Sequence, residues 1–405
     1  MGKMSKFSVI LAYSGGLDTS VMIAWLKENY DCKVITVTCD VGQDDELEHV
    51  REKAISSGAE KAYVLDCKEE FITKYLWRLL QTNAVYENDY LLGTISRPLI
   101  AEKLVEIANK EGANYISHGA TGKGNDQVRF ELTVKALAPH IKIIAPWREW
   151  EIKSRSEAME YAKARSIPIA ATLEKPYSRD QNIWYVSHEG GVLENPMNPC
   201  PHDLCLTVTS AELASNEPEI ISIEFDKGVP VEVNGVGLLP VDMLNMLNVI
   251  GGRHGIGVVD IVENRLIGIK SRGVYEFPGA TLLYKAHKML ESVCLDRDTS
   301  HCKNIISQQY ANLVYEGKWF SLLREALDKF VAKTQEHVTG EVKLKLYKGQ
   351  CYPLSIYSEY SLHDKSLATF EKDDVYNQKD AEGFINIFGL QMKVHGMKRH
   401  GKKTS

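Results

Sequence analysis

Ser8-Val9-Ile10-Leu11-Ala12-Tyr13-Ser14-Gly15-Gly16-Leu17-Asp18-Thr19-Ser20-Val21-Met22 is the stretch on which the reading of this chain turns. The apolar run at 8–13 predicts a strand, and Gly15-Gly16 breaks it. Val21, Met22, Trp25 and Leu26 then recur at helical spacing, behind Asp18 and Thr19, either of which suits a helix cap. In a turn from strand to helix, successive backbone N–H groups and the positive helix end favour an anion. Gly15 and Gly16 let the backbone approach it closely, and Ser14, Thr19 and Ser20 add hydroxyl donors. The turn therefore reads as a phosphate cradle. It is not a Walker loop, because in Gly119-Ala120-Thr121-Gly122-Lys123-Gly124 the lysine precedes glycine, and the GxGxxG dinucleotide fingerprint is missing.

Outward from this turn, four more strands are predicted at 33–38, 62–66, 114–117 and 141–145, with helical patterns between them. Before the fourth strand, Arg97-Pro98 places proline where a helix start tolerates it, and Ile100, Leu104, Ile107 and Ala108 form one stripe. Such alternation implies an α/β fold: a doubly wound parallel sheet with helices on both faces. In strand order 3-2-1-4-5, strands one and four adjoin at the topological switch point, where ligands bind. A charged helix at about 155–165 stops at Ile167-Pro168, which sets a boundary at 168. Beyond it the pattern is α+β, with a hairpin at 220–225 and 231–233, a helix at 241–249 and strands at 258–262 and 266–270. Helices follow to about 335, then a strand pair at 342–347 and 351–356. The expected division is a nucleotide-binding domain at 1–168, an α+β domain at 169–360 and a C-terminal segment at 361–405.

Composition narrows the function classes. A chain of 405 residues buries a large core, and 25% charged residues are ordinary for a folded protein. A formal net charge of -6 argues against a nucleic-acid or acidic-membrane partner. The eight cysteines lack framework spacing, and the run from Phe7 enters the glycine loop without a signal peptide, so a cytoplasmic setting is expected. Apolar runs fall far short of the ~20 residues that span a bilayer.

A second glycine loop follows the fourth strand: Ser117-His118-Gly119-Ala120-Thr121-Gly122-Lys123-Gly124-Asn125-Asp126-Gln127-Val128-Arg129-Phe130-Glu131. Its three glycines, an amide, a carboxylate and an arginine offer partners for a zwitterion beside a phosphate. The first loop resembles that of the PP-loop ATP pyrophosphatases, which implies adenylation with release of pyrophosphate. The two loops together resemble the argininosuccinate synthase family. So do later strings in the same order, Tyr90-Leu91-Leu92-Gly93-Thr94, Ala145-Pro146-Trp147-Arg148, Leu193-Glu194-Asn195-Pro196, Asp260-Ile261-Val262-Glu263-Asn264-Arg265 and Lys270-Ser271-Arg272-Gly273-Val274-Tyr275-Glu276.

That resemblance implies a ligase joining citrulline to aspartate through an adenylate. Ala12, Tyr13, Ser14, Gly15, Gly16, Leu17, Asp18, Thr19 and Ser20 would bind ATP, with Cys39 and Gly119. Thr121, Asn125 and Asp126 would hold aspartate. Tyr90, Asn125, Arg129, Ser178, Ser187, Glu263 and Tyr275 would hold citrulline. Arg129 suits a bidentate pair with a carboxylate, and Glu263 suits an ammonium. Asp126 is the catalytic candidate, for orienting the amine and accepting its proton. The resemblance also implies Mg2+ carried by the phosphates and a homotetramer tied partly through the C-terminal helices. One departure stands out: only Ile95 and Ser96 separate Thr94 from Arg97-Pro98, one residue fewer than the family pattern, so Thr94 and Ser96 are both candidates for a further citrulline contact.

Weaker signals favour structural roles. Cys200-Pro201-His202-Asp203-Leu204-Cys205 lacks a second ligand pair for zinc, and no metal site is expected. Asp40 and the acids at 44–46 suit a helix N-terminus better than magnesium, and the basic tail Lys393, His395, Lys398, Arg399, His400, Lys402 and Lys403 suits a solvated or subunit-crossing end. His118 either touches nucleotide or is a satisfied structural histidine. The rival enzyme is another PP-loop ligase or a tRNA thiolase, which shares the first loop and differs in its acceptor. A nucleotide sensor with a disabled site would lack the citrulline and aspartate residues.

Overall fold

The computed structural model describes residues 7–43, 47–152, 154–168, 177–369 and 375–401. The acids at 44–46, Lys402 and Lys403 lie outside them. Strand β1 (Ser8–Ala12) leads to α1 (Leu17–Tyr30), followed by β2 (Lys33–Asp40), α2 (Leu47–Ser56), β3 (Lys61–Asp66), α3 (Ser96–Glu111), β4 (Tyr115–Ser117), α4 (Asp126–Leu137) and β5 (Lys142–Ile144). The five strands pair in parallel in the order β3-β2-β1-β4-β5, as the sequence implied. Alternation along β1 shows why both faces are covered. Val9 and Leu11 enter one core with Val21, Met22, Ile23 and Leu26 of α1, while Ile10 enters another with Leu99 and Leu104 of α3.

The start of α1 corrects one expectation. Gly16 is its N-cap, and neither Asp18 nor Thr19 caps it; both lie in the first turn. Thr19 Oγ1 instead lies 3.1 Å from Ser14 Oγ, so the hydroxyl closes the loop rather than the helix end.

After α5 (Arg155–Ala164) come β6 (Ser178–Asn182), β7 (Tyr185–Glu189), β8 (Glu219–Asp226), β9 (Val229–Val233), β10 (Val236–Gly237), α6 (Pro240–Arg253), β11 (Val258–Asn264), β12 (Lys270–Glu276), α7 (Pro278–Cys294), α8 (Arg297–Tyr315), α9 (Leu322–Gln335), β13 (Gly340–Tyr347) and β14 (Gln350–Tyr357). They form two antiparallel sheets, β11-β12-β7-β6 and β10-β9-β8-β13-β14. The strand expected at 266–270 is a turn. Arg265 N donates to Ile269 O at 2.9 Å around Gly268, whose φ of 84° needs glycine, and the strand begins only at Lys270. The hairpin β6–β7 had no periodic signal, because its residues Ser-Arg-Asp-Gln-Asn and Tyr-Val-Ser-His-Glu are mostly polar.

This hairpin docks on the parallel sheet through its turn. Ile183 N donates to Val41 O at 2.9 Å, Asn182 Nδ2 to Gly93 O at 3.0 Å and Trp184 Nε1 to Leu91 O at 2.9 Å. Gly93 has to be glycine here, since a Cβ would lie 2.2 Å from the Tyr185 ring. The four-stranded sheet is thereby fixed against the C-terminal edge of the five-stranded one. Two compact units divide the chain, Met1–Tyr360 and Ser361–Ser405. The second holds α10 (Asp380–Phe388) and α11 (Leu390–Arg399), whose Phe384, Ile385, Phe388, Met392 and Val394 are exposed. No helix among the described residues is long and apolar enough to cross a membrane.

Candidate functional site

The first loop leaves β1 at Ala12. Tyr13 is buried and its hydroxyl lies 2.9 Å from Ser20 Oγ, which in turn donates to Gly16 O at 2.8 Å. Ser14 N reaches Thr19 Oγ1 at 3.4 Å, and Gly15 takes φ +75°, a left-handed turn that glycine adopts without strain. Leu17 and Asp18 complete the first turn of α1. Burial raises the Asp18 carboxyl above its ordinary value, against the field of Arg155. Lys53 of α2 donates from Nζ to Gly15 O at 2.5 Å, bringing a cation to the loop that the sequence gave no reason to single out. Cys39, 5% exposed, lies near the end of β2, the strand next to β1.

The second loop stands directly beside the first. A Cβ on Gly119 would lie 3.0 Å from Thr19 Cγ2, so the missing side chain is what lets the two loops approach. This follows from β1 and β4 being neighbours in the sheet. Thr121 is exposed, and its carbonyl accepts from Gly124 N at 3.1 Å. Gln127 Nε2 ties down the carbonyls of Gly122 at 2.7 Å and Gly124 at 3.1 Å, while its Oε1 accepts from Arg148. His118 is wholly buried, stacked on Phe130 and 3.4 Å from Glu131 Oε1, a satisfied structural histidine. Hydrogen bonding from His118, with burial opposing it and Arg148 adding to it, holds the Glu131 carboxyl at about 2.

Past this loop, α4 and its N-cap present Asn125, Asp126 and Arg129 to three other parts of the chain, at Arg97, Leu266 and Tyr315. Asp126 Oδ1 accepts from Arg129 Nη1 at 2.7 Å and Oδ2 from Arg97 Nε at 2.8 Å. Arg97 also bonds Asp180 of β6, which takes a further hydrogen bond from the Tyr185 hydroxyl. Burial raises the Asp126 pKa, but the two guanidiniums more than offset it and hold the carboxyl far below the usual range. A carboxylate held so low is a weak base, so the structure favours orientation over proton acceptance for Asp126. Arg129 is similarly engaged. Its Nε donates to Tyr315 O at 3.1 Å, leaving Nη2 without a hydrogen-bond partner among the described residues. The guanidinium expected to grip a carboxylate is thus partly used within the protein, with Nη1 on Asp126 and Nε on Tyr315.

The remaining predicted residues come from the four-stranded sheet and from the segment before α3. Glu263, 5% exposed, accepts from Tyr275 OH at 2.8 Å and from Tyr315 OH at 2.6 Å. The Tyr275 ring lies 4.7 Å from that of Tyr90, and strand register sets Tyr275 opposite Ser187. Tyr90 OH lies 3.3 Å from Thr94 Oγ1, whereas Ser96 is fully buried. Tyr90, Ser187, Glu263, Tyr275, Asn125, Asp126 and Arg129 thus share one cluster. Ser178 lies apart, exposed at the end of edge strand β6 and paired in register with Glu189. Burial raises the Glu189 pKa despite its ion pair with Arg265. Sequence reading missed Asp180, Tyr185 and Tyr315 as members of this site and saw Arg97 only as a helix start. The first two lie in the polar hairpin that periodicity does not detect.

A five-stranded parallel sheet with two glycine loops at its switch point, facing a second domain rich in tyrosine and carboxylate, defines a nucleotide-dependent enzyme of two-domain build. Residues 8–168 match the argininosuccinate synthase N-terminal HUP domain, and residues 177–395 match the C-terminal domain of the same family. The argininosuccinate synthase of Carboxydothermus hydrogenoformans is 61% identical over 390 residues, covering 96% of this chain and 97% of that one. That of Acetivibrio thermocellus is 59% identical over 400 residues, with 98% and 99% covered. A U34-tRNA thiolase from Methanococcus maripaludis shares 15% identity over 42% of this chain and 61% of its own, with a TM-score of 0.28, too slight a likeness to carry an argument. The chain belongs to the argininosuccinate synthase family, and it is a ligase of arginine biosynthesis.

Proposed function

We propose that the chain condenses citrulline with aspartate, consuming ATP and releasing AMP and pyrophosphate. The observation that carries this reading is the closeness of Gly119 to Thr19, where even a Cβ would crowd Thr19 Cγ2 at 3.0 Å, which sets a phosphate loop against a loop running into Asn125, Asp126 and Arg129. A ureido oxygen is a poor leaving group, so displacement by an amine first requires its activation. The citrulline oxygen attacks the α-phosphorus of ATP, and pyrophosphate departs into residues 14–20. The aspartate amine then attacks the ureido carbon and AMP leaves. Holding three substrates in line is worth roughly 7–11 kcal/mol, and no protein nucleophile is needed.

In this reading Ala12 to Ser20, Cys39 and Gly119 bind ATP, with the Lys53 cation beside them. Thr121, Asn125 and Asp126 orient aspartate. Tyr90, Asn125, Arg129, Ser178, Ser187, Glu263 and Tyr275 hold citrulline. Of the two candidates near Arg97, Thr94 is favoured, because its hydroxyl meets Tyr90 OH while Ser96 is fully buried. Among the described residues no group of three or more His, Cys, Asp or Glu side chains is arranged to hold a metal ion. In this reading magnesium arrives on the phosphates, held by them and by water. We also read 1–168 as the nucleotide domain, 169–360 as the citrulline domain and 361–405 as the segment that joins a homotetramer. The exposed apolar residues of α10 and α11 support that last role. A cytoplasmic setting rests on the irregular cysteine spacing.

Phosphorus NMR of ATP turnover tests the reaction, run with magnesium, citrulline and aspartate and again with each amino acid omitted. AMP, pyrophosphate and argininosuccinate are expected only from the complete mixture. ADP and phosphate, or turnover indifferent to citrulline, would sink the assignment.

A further inference from the structure

Tyr315 ends α8, is 1% exposed, and touches three of the residues assigned above to substrate. Its hydroxyl donates to Glu263 Oε2 at 2.6 Å and accepts from Asn125 Nδ2 at 2.8 Å, while its carbonyl accepts from Arg129 Nε at 3.1 Å. The ring stacks on Tyr86 with centroids 3.6 Å apart, and the Arg129 guanidinium lies 5.0 Å from its centroid. Burial first, and Glu263 next, raise its pKa above the ordinary phenol value, so the hydroxyl stays a donor.

The hydrogen bonds close into a circuit. Three residues after Glu263, Leu266 N donates to Asn125 Oδ1 at 3.0 Å; Asn125 then donates to Tyr315, and Tyr315 back to Glu263. Asn125 opens the helix of the second glycine loop, and Glu263 belongs to β11 of the other sheet. The phenol is the side-chain leg of this circuit between Asn125 and Glu263, and the backbone at Leu266 is the other leg. A buried hydroxyl is costly unless its donor and acceptor are both satisfied, and here both partners are side chains of the site.

We propose that Tyr315 is a positioning residue of the citrulline pocket, whose hydroxyl sets the spacing and orientation of Asn125 and Glu263 so that both meet the amino-acid end of the substrate together. The proposal rests on the citrulline reading above. Tyr315→Phe keeps the ring stack and removes only the hydroxyl.

Steady-state kinetics of the full-length variant and the wild type, with each substrate varied in turn, tests it. Loss of a hydrogen bond to a charged group corresponds to roughly a ten- to hundredfold effect, expected here in KM for citrulline. KM for ATP should stay within about twofold, since no bond of Tyr315 reaches the first loop. A merely structural tyrosine would lower the melting temperature or shift all three KM values alike, and either pattern with no separate citrulline effect overturns the proposal. So does an unchanged citrulline KM. A wild type that releases no AMP in response to citrulline instead overturns the reaction itself, which separates the two failures. Where the Phe variant does not fold, para-aminophenylalanine, which keeps a donor where the phenol oxygen stands, and para-methylphenylalanine, which keeps only the volume, are installed in place of Tyr315 and compared in the same way. A citrulline KM near wild type for the first and a raised one for the second is expected, and equal losses in both would overturn the proposal.

Discussion

Side-chain hydrogen bonds among Tyr13, Ser14, Gly16, Thr19 and Ser20 join residues at most 7 positions apart. Those around the residues proposed to hold the amino acids join Asn125 to Tyr315 across 190 positions, Arg129 to Tyr315 across 186 and Arg97 to Asp180 across 83. The phosphate loop is a local object built mainly from uncharged groups, while the pocket is a long-range one built around buried charge. In the first, Ser14 N and Gly16 N meet the loop's own hydroxyls at a long 3.4 Å, and from outside Lys53 reaches Gly15 O and Thr38 reaches Tyr13 O. The second has most of its donors and acceptors already engaged with one another, so its geometry is set before substrate arrives. That division suits the two tasks. Phosphate binding tolerates any cradle of backbone donors, whereas telling citrulline and aspartate from other amino acids requires polar groups at fixed separations.

The sharpest way to break this contrast is to remove the charge at its centre. Asp126→Ala leaves the Arg97 and Arg129 guanidiniums facing each other without the carboxylate between them. Breaking a fully buried ion pair from one side costs about 3–5 kcal/mol, and the Asp126 side chain, 29% exposed, loses less. We expect kcat/KM for aspartate to fall by ~100-fold, with a lower melting temperature, while ATP binding measured by calorimetry changes little. Equal losses of ATP affinity and aspartate turnover would mean that the two regions are not separable.

Legibility from sequence follows the same line. The parallel sheet could be read because its strands are buried on both faces, and β2 is buried from Val34 through Asp40. The phosphate loop could be read because all its parts lie within one short string. Asp126 and Arg129 could be read in the second loop as partners for a zwitterion, whereas Glu263 and Tyr275 were named only through resemblance to a family; no spacing along the chain joins Glu263 to Asn125. Tyr315 was out of reach, since a tyrosine at the end of an amphipathic helix looks like any core aromatic until the fold brings Glu263 to its hydroxyl. The β6–β7 hairpin escaped for another reason. Its residues hold a docking turn and a polar pocket wall, so it lacks the alternation that marks a half-buried strand.

A smaller effect is expected where the two regions meet. Gly119→Val adds a side chain whose Cβ alone would stand 3.0 Å from Thr19 Cγ2. Overpacking of this kind costs about 1–3 kcal/mol. We expect KM for ATP to rise about tenfold, as the two loops are pushed apart, with citrulline and aspartate affected less. If KM for the amino acids rises more than that for ATP, the strain has passed into the pocket rather than the cradle, and the loops are coupled more tightly than the hydrogen bonds indicate.

The smallest effect tests the charged base of the second loop through pH. Glu131 accepts from Arg148, Arg148 also donates to Gln127, and Gln127 holds the carbonyls of Gly122 and Gly124. In the folded chain Glu131 titrates at about 2, against 4.5 for an ordinary glutamate. A carboxylate with a depressed folded pKa stabilises the protein above its unfolded pKa, and that contribution fades as pH falls through the window between the two values. Glu131→Gln should therefore melt below the wild type near neutral pH, and the gap should narrow below about pH 4.5 and close near pH 2. At neutral pH the variant should raise KM for aspartate only about two- to threefold, because Gln127 still tethers the loop. The first loop owes its shape largely to hydroxyls and backbone groups that do not titrate in this range, so a pH-independent gap between Glu131→Gln and wild type would mean that the second loop, too, is held without help from its charge.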